Sequence, residues 1–155
     1  EEIAHDVLTH GFNAEVGAFT VAYGETDLDS AALFVGLSGL LDADDPRFVS
    51  TVDAIERELR VGPTVFRYRY DDGLPGLEGG FHICTTWLIE AFIKVGRIDD
   101  AWDLFRQVDA LLGPTGLLSE EYDPVAEMHL GNHPQAYSHL GYIRVAQQLD
   151  AHRPS

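Results

Sequence analysis

Three groups of residues in this 155-residue chain combine types that can do chemistry. The stretch GLLSEEYDP at 116–124 sets two adjacent carboxylates, Glu120 and Glu121, beside an aromatic ring in a loop. A carboxylate so placed can serve as a general base toward water when a partner acid stands across the substrate. The same pair also fits a solvated acidic turn ahead of Pro124. The second group is YRYDDG at 68–73 with EGGF at 78–81, which brings stacking rings, the Arg69 guanidinium and carboxylates together. Sugar sites use that mixture, because aromatic faces cover the apolar side of a ring and charged groups hold its hydroxyls. An arginine paired with neighbouring aspartates on the surface accounts for it equally well. The third group is histidine-rich. His129 and His133 are four apart, but Gly131-Asn132 interrupts any helix that would align them on a metal. Ser119, Asp123 and His139 can be assembled on paper into a triad, yet nothing resembles a nucleophile elbow. No spacing implies a metal or a cofactor.

Composition narrows the partners. Ten basic against 26 acidic residues give a formal charge of −16, and the pI is near 4.5. Nucleic acid and anionic membranes require basic faces, so both are excluded as partners. A neutral sugar is indifferent to this charge. A 45% hydrophobic content supports a packed core in a single domain. Cys84 is alone, which excludes an intrachain disulfide and a cysteine zinc site. No apolar run approaches the roughly 18 residues of a membrane span, and no signal-peptide pattern opens the chain, so a cytoplasmic location is expected. The chain starts with Glu1 in what reads as mid-helix, so a piece of a longer protein is expected.

Helical periodicity dominates the elements that must position these groups. Helices are expected from residue 1 to about 13, from Asp29 through Leu40, from Asp45-Pro46 to Leu59, and over 82–95. Two more follow, from Asp99 or Asp100 to Leu112, and from Pro134 to about Leu149. Asp45 followed by Pro46 fits an N-cap with proline at the first helical position. Residues 17–24 read as extended, and Phe66, Tyr68 and Tyr70 alternate with arginines as a strand would. Residues 71–80 and 113–132 read as loops. Trp87 and Cys84 fall within helix 82–95 and read as core.

Six short segments taken in order resemble the C-terminal half of glycoside hydrolase family 15. They are LDS (28–30), DDPRF (44–48), YRY (68–70), DGLPGLEGGF (72–81), GLLSEEYDP (116–124) and LGNHPQAYSHL (130–140). The resemblance covers essentially the whole chain. It implies an all-α fold, about six helices forming half of an (α/α)6 toroid, with short extended segments between helices. Residues 1–155 would then be the C-terminal part of one glycosidase catalytic domain. The implied activity is inverting hydrolysis of terminal α-glucosyl bonds, with a maltodextrin or trehalose as the carbohydrate partner. In this family the glutamate after Ser or Pro is the general base, which matches Glu120. Arg69 and Tyr70 match the pair that contacts the terminal glucose, with Arg67 a weaker match. Glu78 and Glu121 fall at the edge of the sugar site, and Asn132 and Gln135 fall where supports of the base loop lie.

One departure carries weight. The family's general acid lies in an upstream Trp-Glu motif, whereas Trp87 and Trp102 are followed here by Leu88 and Asp103. The chain therefore holds the base side of a site and is expected to be inactive alone. Self-association, or pairing with the missing N-terminal half, would cover its apolar faces. The alternative is a non-catalytic helical binding or regulatory module related to the same family.

Overall fold

The computed structural model describes residues 2–71, 73 and 78–152. Most of the glycine-rich motif at 72–77 therefore lies outside the described residues, as does Glu1, where the first helix was expected to begin. Six helices occur among the described residues: α1 (Glu2–His10), α2 (Phe34–Leu37), α3 (Pro46–Leu59), α4 (His82–Lys94), α5 (Ile98–Asp109) and α6 (Ala136–Asp150). Helix α3 starts as its sequence dictates, with the Asp45 carboxylate accepting from the Arg47 N–H at 2.9 Å and Pro46 next.

The all-α expectation holds only in part. Seven short strands form two antiparallel sheets: β1 (Phe12–Asn13) with β2 (Ala18–Phe19), and a five-stranded sheet in the order β3-β4-β5-β6-β7. Its members are β3 (Arg60–Val61), β4 (Thr64–Val65), β5 (Gly80–Phe81), β6 (Glu121–Asp123) and β7 (Met128–Leu130). Each strand has two or three residues, too short for alternation to register in the sequence. The alternating segment at 66–70 is not one of the strands. The ladder uses Arg60 to Val65 just before it, in register Arg60↔Val65 and Val61↔Thr64. The expected second helix shrinks to a 3₁₀ turn (Ser30–Leu33) capped by Asp29, followed by the four-residue α2. The loop expected at 113–132 contains the β6–β7 hairpin.

Helix α4 is the centre of the molecule. Nine of its thirteen residues are buried, from His82 to Phe92, so it behaves as a helix enclosed on all sides rather than an amphipathic one. It packs on α5 and α6, and also touches α3, β4 and the 3₁₀ turn. Leu88, Ile89 and Phe92 join Phe48, Ile55, Leu104, Leu118 and Leu149 in the fully buried core. Several polar groups inside are matched, whereas the Ser30 and Thr64 hydroxyl oxygens have no hydrogen-bond partner among the described residues. The Thr85 hydroxyl accepts from the Val65 N–H at 2.9 Å and donates to the Phe81 carbonyl at 3.0 Å. Buried Glu90 meets Arg144 of α6 at 2.9 Å. The buried Cys84 thiol is pushed up to about 12 by desolvation, which keeps it a small hydrophobe. Among the described residues no helix is long and apolar enough to cross a membrane.

His82 opens α4 fully buried, and neither ring nitrogen has a hydrogen-bond partner among the described residues. Burial, and secondarily the nearby His129 and His139, lower its pKa from 6.5 to about 4. The unfolded chain takes up this proton near pH 6.5 and the folded chain only near 4. Its contribution is therefore complete above pH 6.5 and lost as pH falls toward 4, a loss of roughly 3 kcal/mol. His82→Phe is expected to flatten the fall in unfolding free energy between pH 6.5 and 4, measured by urea denaturation. An unchanged slope would contradict the assignment.

Candidate functional site

The site is built around a backbone segment, Leu118-Ser119-Glu120, that runs into β6. Sheet and helix grip it from three directions. The Glu120 carbonyl accepts from the His82 N–H at 3.1 Å, and the Glu120 N–H donates to the Asn132 carbonyl at 2.9 Å. The Ser119 carbonyl accepts from the buried Ser138 hydroxyl of α6 at 2.7 Å. The Leu118 carbonyl accepts from the Gln135 N–H at 3.0 Å, and the Leu118 N–H donates to His139 Nε2 at 3.3 Å. His139 Nδ1 in turn donates to the Gln135 carbonyl at 2.7 Å. With five of its six backbone polar groups paired in this way, the segment has little freedom to move.

The Glu120 side chain is fixed as well. Its Oε2 accepts from Asn132 twice, from the backbone N–H at 3.1 Å and from Nδ2 at 2.8 Å. Gly131, with φ of +71°, lets the chain pass directly beneath this carboxylate. A Cβ there would stand 2.8 Å from Glu120 Oε2 and 2.9 Å from its Cβ. Glycine is required on both counts.

Glu121 faces the other glycine-rich edge, where its Oε2 accepts from the Gly79 N–H at 2.8 Å. Burial raises its pKa, the Gly79 bond partly opposes that, and the charges of Glu78 and Glu120 raise it further. Glu78, Glu120 and Glu121 are thus close enough for their charges to interact. Gly79 also needs its missing side chain, since a Cβ would press on the Tyr122 carbonyl at 2.6 Å.

Arg69 and Tyr70 are placed elsewhere. Tyr70 stacks on Tyr68 with centroids 4.4 Å apart, and Arg69 lies 5.0 Å over the Phe66 ring. Both line a cavity of about 430 Å³ with Asp27, Leu28, Arg57 and Glu58. Among the described residues no hydrogen bond or ion pair joins them to Glu120. Arg67 is tied to Asp29 at 3.3 Å.

Ser119 and His139 do not form a triad with Asp123. The fully buried Ser119 hydroxyl donates to the Glu121 carbonyl at 2.6 Å and lies 2.8 Å from His129 Nδ1. Asp123 instead caps the hairpin turn, accepting from the Val125 and Ala126 N–H groups. The Ser119–His129 contact escaped the sequence reading because only the hairpin brings positions ten apart together. Among the described residues no group of three or more His, Cys, Asp or Glu is arranged to hold a metal ion.

Comparison with known proteins gives a consistent picture. The profile of glycosyl hydrolases family 15 matches residues 1–147. A trehalase of Thermoplasma volcanium is 42% identical over 151 residues, which is 97% of this chain and 24% of the trehalase. A trehalase of Mycobacterium tuberculosis is 42% identical over 146 residues, 92% of this chain and 21% of that one. The chain thus spans about a quarter of the length of the curated relatives it matches. A solved wild-type glycosidase superposes with a TM-score of 0.82 at 22% identity, over 96% of this chain and 42% of its own. A variant glycosidase in complex with glucose superposes equally well, at 21% identity.

Replacement of Gly131 by alanine is expected to lower stability by about 1–2 kcal/mol through its positive φ and to displace the Glu120 carboxylate. Chemical denaturation and hydrogen exchange at the Asn132 and Glu120 amides check both parts. Wild-type protection at both amides would contradict the steric argument.

Proposed function

The chain belongs to glycosyl hydrolases family 15, and from that premise we propose that it carries the base side of an inverting α-glucosidase whose substrate is trehalose. Glu120 is the general base. The observation that carries this reading is the double Asn132 bond to Glu120 Oε2. It fixes the carboxylate while Oε1 takes no bond from the described residues, so one oxygen remains for a water. In the reaction, Glu120 takes a proton from that water as the oxygen attacks the anomeric carbon. An acid on the opposite side protonates the departing oxygen. Inverting hydrolases separate the two carboxyl groups by roughly 6.5–9.5 Å to admit the water, and the family's Trp-Glu motif that would carry the second does not occur in residues 1–155. The chain alone is therefore inactive, and the complete protein is the enzyme.

Glu121 and Glu78 flank the base and are suited to hold sugar hydroxyls. Arg69 and Tyr70 would hold the terminal glucose, a role supported by the family motif rather than by contact with Glu120. The trehalases among the relatives favour trehalose over a maltodextrin. The exposed row Tyr137, Leu140 and Ile143 on α6, continued by Phe34, is an apolar face suited to pairing with the rest of the protein or with a second copy.

In the full-length protein, Glu120→Gln is expected to lower trehalose hydrolysis on the order of 10²–10⁴-fold with binding retained. Glucose release from trehalose, maltose and maltotetraose, wild type beside variant, checks base and substrate together. Equal rates would remove Glu120 from the role. A wild type inactive on all three sugars would favour a non-catalytic binding module. Produced alone, residues 1–155 are expected to associate with rising concentration, and Leu140→Asp with Ile143→Asp to shift sedimentation to the monomer. A wild-type chain that sediments as a monomer at every concentration would contradict self-association.

A further inference from the structure

The buried Ser119 hydroxyl makes two bonds with a single hydrogen. It reaches the Glu121 carbonyl at 2.6 Å, closing a turn around Glu120, and lies 2.8 Å from His129 Nδ1. A carbonyl only accepts, so the hydroxyl hydrogen goes to Glu121. The second bond must then be donated by His129, which places a proton on Nδ1. Were Nδ1 to present a lone pair instead, the hydroxyl would be drawn toward the ring and the turn would lose its tie. The hairpin register holds the ring in place, with His129 opposite Tyr122 and the two rings edge to face at 5.4 Å.

We propose that His129 is a positioning residue for Glu120 that acts through Ser119. Its Nδ1–H sets the direction of the Ser119 hydroxyl, and that hydroxyl fixes the backbone turn from which the Glu120 carboxylate projects. With Ser138 holding the Ser119 carbonyl, both polar ends of Ser119 are then committed to the geometry of the next residue. Ser119 is thereby a structural hydroxyl and not a nucleophile. The inference rests on Glu120 being the general base.

The test uses the full-length enzyme with trehalose. His129→Phe keeps a ring without the donor, and His129→Asn places an amide N–H where Nδ1–H was. His129→Phe and Ser119→Ala are each expected to lower kcat about tenfold, with KM within about twofold, since small misplacements of a reacting group are costly. His129→Asn should recover kcat to within about threefold of wild type. The double variant Ser119→Ala with His129→Phe should be no slower than Ser119→Ala alone, because both remove one tie. Wild-type kcat in His129→Phe, additive losses in the double variant, or a change confined to KM would each overturn the proposal. If His129→Phe fails to fold, Ser119→Ala and His129→Asn decide it on the same criteria. Hydrolysis retained in Glu120→Gln would instead sink the base assignment, so the two failures are distinct.

Discussion

Everything in this molecule is arranged around a helix that has almost no face left for water. Nine of the thirteen residues of α4 are buried, so neighbours must cover it on every side. The helices α5 and α6, helix α3 and strand β4 do so. Burial of that kind favours partners close at hand for most polar groups, the His82 ring nitrogens excepted. The hydroxyl of Thr85 and the Glu90–Arg144 pair are examples. At its first turn the same constraint reaches the site, since the His82 N–H has no helical acceptor and finds the Glu120 carbonyl. The position of Glu120 is therefore referred to the most deeply buried helix among the described residues.

Electrostatics works against this concentration of carboxylates, and backbone N–H groups offset it. Glu120 accepts from Asn132 N–H and Glu121 from Gly79 N–H. Both donors lie in or next to glycines whose missing side chains permit the approach. An overall charge of −16 is no obstacle to an uncharged sugar, whose recognition depends on hydrogen bonds rather than on long-range attraction.

The helices were legible in the sequence where caps and periodicity agreed. Asp45-Pro46 marks the start of α3, and the wide apolar stripe of residues 82–95 marks α4. The second helix was overestimated because glycines at 36 and 39 shorten it, and Phe48 fills the space beside Gly36. The sheet was invisible for a different reason. A two-residue strand such as β5 is defined by its partners β4 and β6, which lie far away along the chain. Glu120 and Glu121 stood out by type and motif, and the structure adds how they are held. The Ser119–His129 tie left no trace in spacing, because it depends on a hairpin register that no local pattern encodes. Arg69 and Tyr70 were legible as an aromatic and cationic pair, yet their described contacts are to Phe66 and Tyr68.

The β6–β7 hairpin separates two tasks along its length. Its base holds Glu120 against Asn132, whereas its turn projects into solvent, with Val125 89% exposed and Asp123 capping the chain reversal. Residues at that tip bear none of the bonds that fix the carboxylate. The turn can accordingly gain or lose residues over evolutionary time, or accept an inserted reporter sequence, while the carboxylate beyond three ladder pairs keeps its aim.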